Sequence, residues 1–261
     1  FNTGTGSDVT ITDNSDFAIQ SGLNVNNLSI TSTGSVTDLG DINIDGTLTV
    51  SAAGQTIDLS GTGNDLTGAV TLTGAAITLE DTTDTSIAGI TATGALSVTS
   101  GGAITQTGAV DADLASSFTT STADQAITLS NTANALTGAV SLTTSGTVGH
   151  VTIDNGTTAL GVQGTVSGDL ALTSGEAITD SAALSVTGTT TVTTDVADKT
   201  ITLDTLASTG NVILTTSGTA GNVTIDNGTT ALGVQGTVSG DLALTSGEAI
   251  TDSAALSVTG T

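Results

Sequence analysis

This chain repeats itself. Val140 to Thr189 and Val212 to Thr261 align without a gap at an offset of 72 residues, and they differ only at Ser141/Ile213, Val148/Ala220 and His150/Asn222. Older copies are legible too: GDLALTSGEAIT from Gly168 returns as GALSVTSGGAIT from Gly94 and as NLSITSTGSVT from Asn27. IDLSGTGNDLTGAVTLT from Ile57 returns as ITLSNTANALTGAVSLT from Ile127, and VTITDN from Val9 as VTIDN from Val151 and Val223. A fixed period of this size marks a stack of like units in which each buries its apolar face against its neighbours. The repeats leave no room for a separate domain, so residues 1–261 read as one continuous solenoid with copies at roughly 1–67, 68–137, 138–209 and 210–261. The pattern breaks off in mid-phrase at Thr261, which reads as a piece of a longer chain.

Inside each copy, short segments alternate apolar and polar residues: VTIT from Val9, LSIT from Leu28, LTVS from Leu48, VTLT from Val70, LSVT from Leu96. A period of two is that of a strand with one buried face. Gly, Asn, Asp and Ser separate these segments at intervals that allow tight turns but no helical crossover. The expectation is an all-β fold, a right-handed parallel β-helix (β-solenoid) with three strands and about 24 residues per coil and three coils per ~72-residue repeat. Ile57, Leu59, Val70, Leu72, Ile127, Leu129, Val140 and Leu142 should then point inward, because a slip of one residue would turn the whole apolar set to water. The chain contains no proline, as befits strands paired on both sides.

Composition excludes several functions. Against 25 acidic residues stand one lysine, Lys199, and one histidine, His150, for a net charge of −24. Phosphate binding needs clustered Lys and Arg, so nucleic acid is not a partner. No apolar run reaches the ~18 residues of a spanning helix, so no membrane span is expected. Without cysteine there is neither a disulfide scaffold nor a thiolate metal site. Only 10% of residues are charged and mean hydropathy is positive, so this is a chain that buries surface rather than a disordered acidic tail.

The phrases at Gly101 to Thr105 (GGAIT), Ala183 to Val192 (ALSVTGTTTV), Ile127 to Leu129 (ITL) and Asn134 to Thr143 (NALTGAVSLT) resemble the strand repeats of very large bacterial exoproteins of the filamentous haemagglutinin type. The resemblance implies a secreted β-helical stalk at the bacterial surface, exported by a two-partner system and used in adhesion, aggregation or biofilm. It also implies partners of two kinds: the protein itself, through stacking or continuing repeats, and a host, cell or matrix surface.

Candidate sites are few. His150 stands where the next copy has Asn222, so a turn role is expected for it, and Lys199, with Gln125 in the equivalent place, reads as surface. Carboxylate pairs such as Asp38 with Asp41 or Asp81 with Asp84 have the residue types of a glycosidase. Sugar sites also want aromatic walls, and the sequence has no Trp, Tyr or Arg. Asp154 with Asn155, and Asp226 with Asn227, offer oxygen ligands for Ca²⁺, but a site needs about 6–8 oxygens and an Asx turn accounts for DNG equally well. Outward threonine pairs, Thr10 with Thr12 and Thr71 with Thr73, suggest the flat columns of ice-binding solenoids, yet equivalent positions drift to Asp58 with Ser60. The expected function is a structural extracellular fibre or adhesin stalk without catalysis, with no cofactor and with divalent cations condensed diffusely on the acidic surface. The alternatives are a carbohydrate- or Ca-binding solenoid module and, last, a polysaccharide-acting enzyme.

Overall fold

The computed structural model describes residues 6–260, and these form 31 strands with no helix among them. Two sheets carry the architecture. Sheet one runs from Val9–Asp13 to Ile250–Val258 and sheet two from Phe17–Ile19 to Leu242–Thr245. The chain visits them in alternation, and each strand pairs in parallel with those one coil before and after. Sheet one has thirteen strands on its main path, so the coils stack into a rod roughly 60 Å long at ~4.8 Å per coil. The all-β parallel solenoid expected from alternation and repeat is what the chain forms.

The coil is smaller than expected. In-register partners lie between 17 residues apart, as for Ala69 and Ser86, and 24 apart, as for Ile127 and Val151. Three separate strands per coil occur at the start, where Leu23–Val25, Ile42–Ile44 and Asp65–Leu66 make a short third sheet, and again in three later coils, where Val110–Ala112, Ala135–Leu136 and Leu206–Ser208 lie beside the two main sheets. The other coils have two strands, one of which can cover two sides, as Thr85–Ala92 does in pairing with both Ile104–Gln106 and Val110–Ala112. The reason lies in long strands such as Thr85–Ala92 and Ile178–Val186, which carry a register shift and round a corner without the separate turn a third strand would need.

This changes the repeat. Starting from Val151 in sheet one, the register steps to Leu170, Thr190 and Val212, three full coils, and the chain then crosses to Val223 in sheet two. Val223 is the residue 72 positions after Val151. Older copies behave alike: Val70 lies in sheet one and Val140 in sheet two, whereas Ile57 lies in sheet two and Ile127 in sheet one. The unit therefore spans three and a half coils rather than three, and successive units are turned by half a revolution.

The interior is one apolar column, continuous from Ile19 to Val238. Ile57, Leu59, Val70, Leu72, Ile127, Leu129, Val140 and Leu142 are all 0% exposed, as alternation required. Phe118 fills the core among aliphatic neighbours, in register with Val98 and Leu142. At the strand ends the column turns polar. Ser32, Ser100 and Ser174 are buried there, and their hydroxyls donate to the carbonyls of Ser15, Thr83 and Thr158 at 2.7, 2.7 and 2.8 Å. Buried hydroxyls so satisfied close the corners without a penalty for unpaired groups.

Leu142→Asp puts an uncompensated charge into this column and should remove several kcal/mol of stability. Thr143→Asp, one residue on and pointing to water, should leave the thermal melt followed by circular dichroism nearly unchanged; equal melts for the two variants would contradict the assignment of faces.

Candidate functional surface

Acidic side chains at the turns are occupied by the backbone. The N–H groups of Ser35, Ala103 and Thr189 donate to Asp16, Asp84 and Asp169, each one coil earlier, at 2.9, 2.8 and 2.8 Å. Asp180 accepts from Asp204 and Thr205 in the same direction. A turn that leaves the sheet ladder has N–H groups without strand partners, and a carboxylate on the preceding turn supplies the acceptor.

The most developed case occurs twice. Asp124 and Asp198 both adopt a left-handed backbone, with φ of 65° and 63°. Asp124 Oδ1 accepts the N–H of Thr147 at 2.6 Å and of Val148 at 3.0 Å; Asp198 Oδ1 accepts those of Thr219 and Ala220 at 2.6 and 2.8 Å. Above each lies a glycine at positive φ, Gly146 or Gly218, where an added Cβ would collide with the carboxylate. These backbone bonds favour the ionised form and hold both carboxyls below the usual range, Lys199 adding a smaller pull on Asp198.

His150 and Asn222 do one job with different atoms. His150 Nδ1 accepts the N–H of Asp169 at 2.9 Å, and Asn222 Oδ1 accepts that of Asp241 at 2.8 Å. The imidazole also lies 3.4 Å from the Asp169 carboxylate. With Nδ1 used as acceptor the ring proton sits on Nε2. Lys199 is more tied down than its sequence suggested, since its ammonium holds both oxygens of Glu176 on the preceding coil at 2.8 and 2.7 Å.

Asn155 and Asn227, read as candidate Ca²⁺ ligands, are wholly buried. Their amide oxygens accept the N–H of Leu136 and Ser208 at 2.8 and 2.7 Å, and each amide nitrogen donates to three carbonyls. Asp154 and Asp226 accept the N–H of Gly156 and Gly228 at 2.9 Å, which is the Asx turn. Neither pair directs its oxygens to a shared point. Among the described residues no three His, Asp or Glu side chains gather to hold a metal.

Asp81 stands in the place of Asn155: Leu66 N–H donates to it at 3.2 Å as Leu136 N–H does to Asn155. It is buried, and this raises its carboxyl above the usual range, although Thr83 and Thr85 also donate to it. The sequence paired it with Asp84, but Asp84 sits on the exposed turn outside, so the two do not flank a common substrate. Asp38 is likewise held by the Gly61 N–H and the Asn64 amide.

Two hollows exist. An apolar one of about 260 Å³, lined by Val9, Ile11, Phe17, Leu23 and Leu28, is the core itself at the first described coil. The other is a shallow groove of about 360 Å³ over the short third sheet, edged by Asn24, Asn43 and Asp65. Outward on the strands lie threonine and serine in columns: Thr12, Thr31, Ser51, Thr73 and Thr91 are successive register partners.

The family model of repeats of unknown function (DUF5649) matches this chain four times in succession, over residues 6–73, 74–143, 148–219 and 220–261. Among curated proteins and among solved structures, nothing matches.

Asp81→Asn should stabilise the fold by about 1 kcal/mol at pH 7, the order for relieving an incompletely compensated buried polar group. Because the folded carboxyl binds its proton more readily than the unfolded one, ionisation weakens the fold above the raised folded pKa. That penalty fades as pH falls toward 3.8, so the advantage of Asn should shrink there in paired melts. At His150, Asn should be neutral, whereas Leu, which cannot accept from Asp169, should cost about 1 kcal/mol in urea unfolding.

Proposed function

This chain belongs to the DUF5649 family of repeats, and from that premise we propose that it is a structural rod: a stretch of secreted bacterial surface fibre or adhesin stalk that spans distance and does no chemistry. The observation that carries this reading is the uniformity of the column. The apolar interior runs from Ile19 to Val238 without a break, and the polar side chains that a site would need are spent on joining one coil to the next. Asp, Asn, His and Lys all serve in that joinery, and the near-identical copies differ outside the core.

A stalk must resist bending and proteolysis. Backbone pairing on both sides of nearly every strand gives stiffness along the axis, and the short connections among the described residues offer few cleavage points. An acidic surface keeps neighbouring rods apart at low salt, and salt or divalent cations screen that repulsion. Adhesion to a host, cell or matrix surface is the use this reading assigns to the whole fibre.

Negative-stain electron microscopy of the purified chain should show straight, unbranched rods of uniform width, with fibre diffraction giving a reflection near 4.8 Å along the axis. Compact particles without that reflection would refute the rod. Hydrolysis of a panel of neutral and acidic polysaccharides by the intact chain would refute the non-catalytic role.

A further inference from the structure

The two copies of DNG carry the only Asn–Gly pairs in the sequence, Asn155–Gly156 and Asn227–Gly228. Asn–Gly is the dipeptide most open to deamidation, because the glycine nitrogen has no neighbouring side chain to shield it from the Asn Cγ. Here the fold demands both halves of the pair. Gly156 and Gly228 sit at φ of 54° and 55°, a conformation that favours glycine, and a Cβ on Gly156 would also collide with the Thr132 carbonyl. Asn155 and Asn227 each close the open edge of a short strand, Ala135–Leu136 or Leu206–Ser208, that has a strand partner on one side only. The amide oxygen takes the N–H of Leu136 or Ser208, and the amide nitrogen gives to the carbonyl of that same residue at 3.1 or 2.9 Å. It also reaches the carbonyls of Thr158 and Ala159 at 3.1 and 2.9 Å, or of Thr230 and Ala231 at 3.2 and 2.9 Å. The glycine nitrogens are engaged as well, donating to Asp154 and Asp226.

We propose that Asn155–Gly156 and Asn227–Gly228 are guarded deamidation sites that act as one-way latches: each is held unreactive while its coil is closed, converts once the coil opens, and then keeps it from closing. In the reaction the glycine nitrogen gives up its proton and bonds to the Asn Cγ, the Cγ–Nδ2 bond breaks, and the amide leaves as ammonia. Water then opens the succinimide to aspartate or isoaspartate. In the closed coil the Asn155 amide cannot turn toward the following peptide without giving up four hydrogen bonds, so conversion waits on local opening. The product no longer fits. A carboxylate at position 155 would face the carbonyls of Leu136, Thr158 and Ala159 with no proton between them, and isoaspartate adds a main-chain atom that shifts the register. Asp81 shows what a carboxylate in this place requires. Thr85, four residues on, donates its hydroxyl to Asp81 Oδ2 at 3.0 Å, and Thr83 donates from backbone and side chain at 3.1 Å. The residues four places after Asn155 and Asn227 are Ala159 and Ala231, which have no hydroxyl to give.

The test holds the intact chain at neutral pH with and without denaturing urea and follows each Asn by peptide mass spectrometry and ammonia release. Conversion at Asn155 and Asn227 should be slower in buffer than in urea by more than about tenfold, the least that an opening worth a few hydrogen bonds predicts. Asn64 and Asn134, equally buried but followed by Asp65 and Ala135, should convert far more slowly than either in urea. Asp154→Ala, which frees the Gly156 N–H, should speed conversion of Asn155 in buffer about fivefold, the scale of one lost hydrogen bond, and leave Asn227 of the same molecule unchanged. The latch is read by hydrogen exchange. Asn155→Asp should expose the Leu136 amide to exchange while Ser208 stays protected, and adding Ala159→Thr should restore protection at Leu136. If Asn155→Asp does not fold at all, recovery of a folded chain by Ala159→Thr supports the latch in the same way. Conversion as fast in buffer as in urea would overturn the guarded site. An Asn155→Asp chain with Leu136 fully protected, or a double variant no better closed than the single one, would overturn the latch.

Discussion

Everything in this protein depends on one contact, the parallel pairing of each strand with its equivalent one coil away. That ladder has to be laid down in register along the whole rod, so a local error in one coil propagates to its neighbours. The alternation of apolar and polar residues is the device that prevents slippage, because an inward Leu or Val displaced by one residue would face water. The absence of proline follows from the same demand, since alternate residues of each strand donate to the coil before and to the coil after.

Where the chain leaves the ladder, side chains take over the pairing, and they do so with a sense of direction. Exposed acceptors, Asp16, Asp84, Asp124, His150 and Asp198 among them, receive N–H groups from the coil that follows. Buried amides, Asn64, Asn134, Asn155 and Asn227, receive them from the coil that precedes. The corner is thereby tied in both directions, by charge where water is near and by a neutral amide where it is not. Burial favours the amide because a carboxylate there pays for desolvation, and Asp81 is the position where this division is broken. Much of the net charge of this chain is therefore structural in origin.

The strands and their inward residues were legible in the sequence because they depend on neighbours two residues apart. Coil size was not. It depends on how the chain rounds a corner, and Thr85–Ala92 does this within one bulged strand whose sequence resembles any other alternating segment. The acidic caps were hidden for a different reason: Asp124 and Thr147 meet only once the coil length is known. Asn155 and Asn227 looked like ligands because DNG is a familiar calcium and turn motif, and nothing local says that the asparagine points inward while the aspartate does not. The exchange of His150 for Asn222 did identify a shared role in advance, without revealing that the role is to accept one backbone proton.

A repeat of three and a half coils has a consequence for how such a chain can change length. Duplication of one unit, as the near-identity of Val140 to Thr189 and Val212 to Thr261 records, lengthens the column and also reverses the azimuth of whatever follows. Gaining or losing a single unit would swing any distal element to the far side of the shaft, and a second such event would return it. Copy-number variation in chains of this kind is then a parity switch as well as a ruler, with odd and even counts pointing their tips in opposite directions.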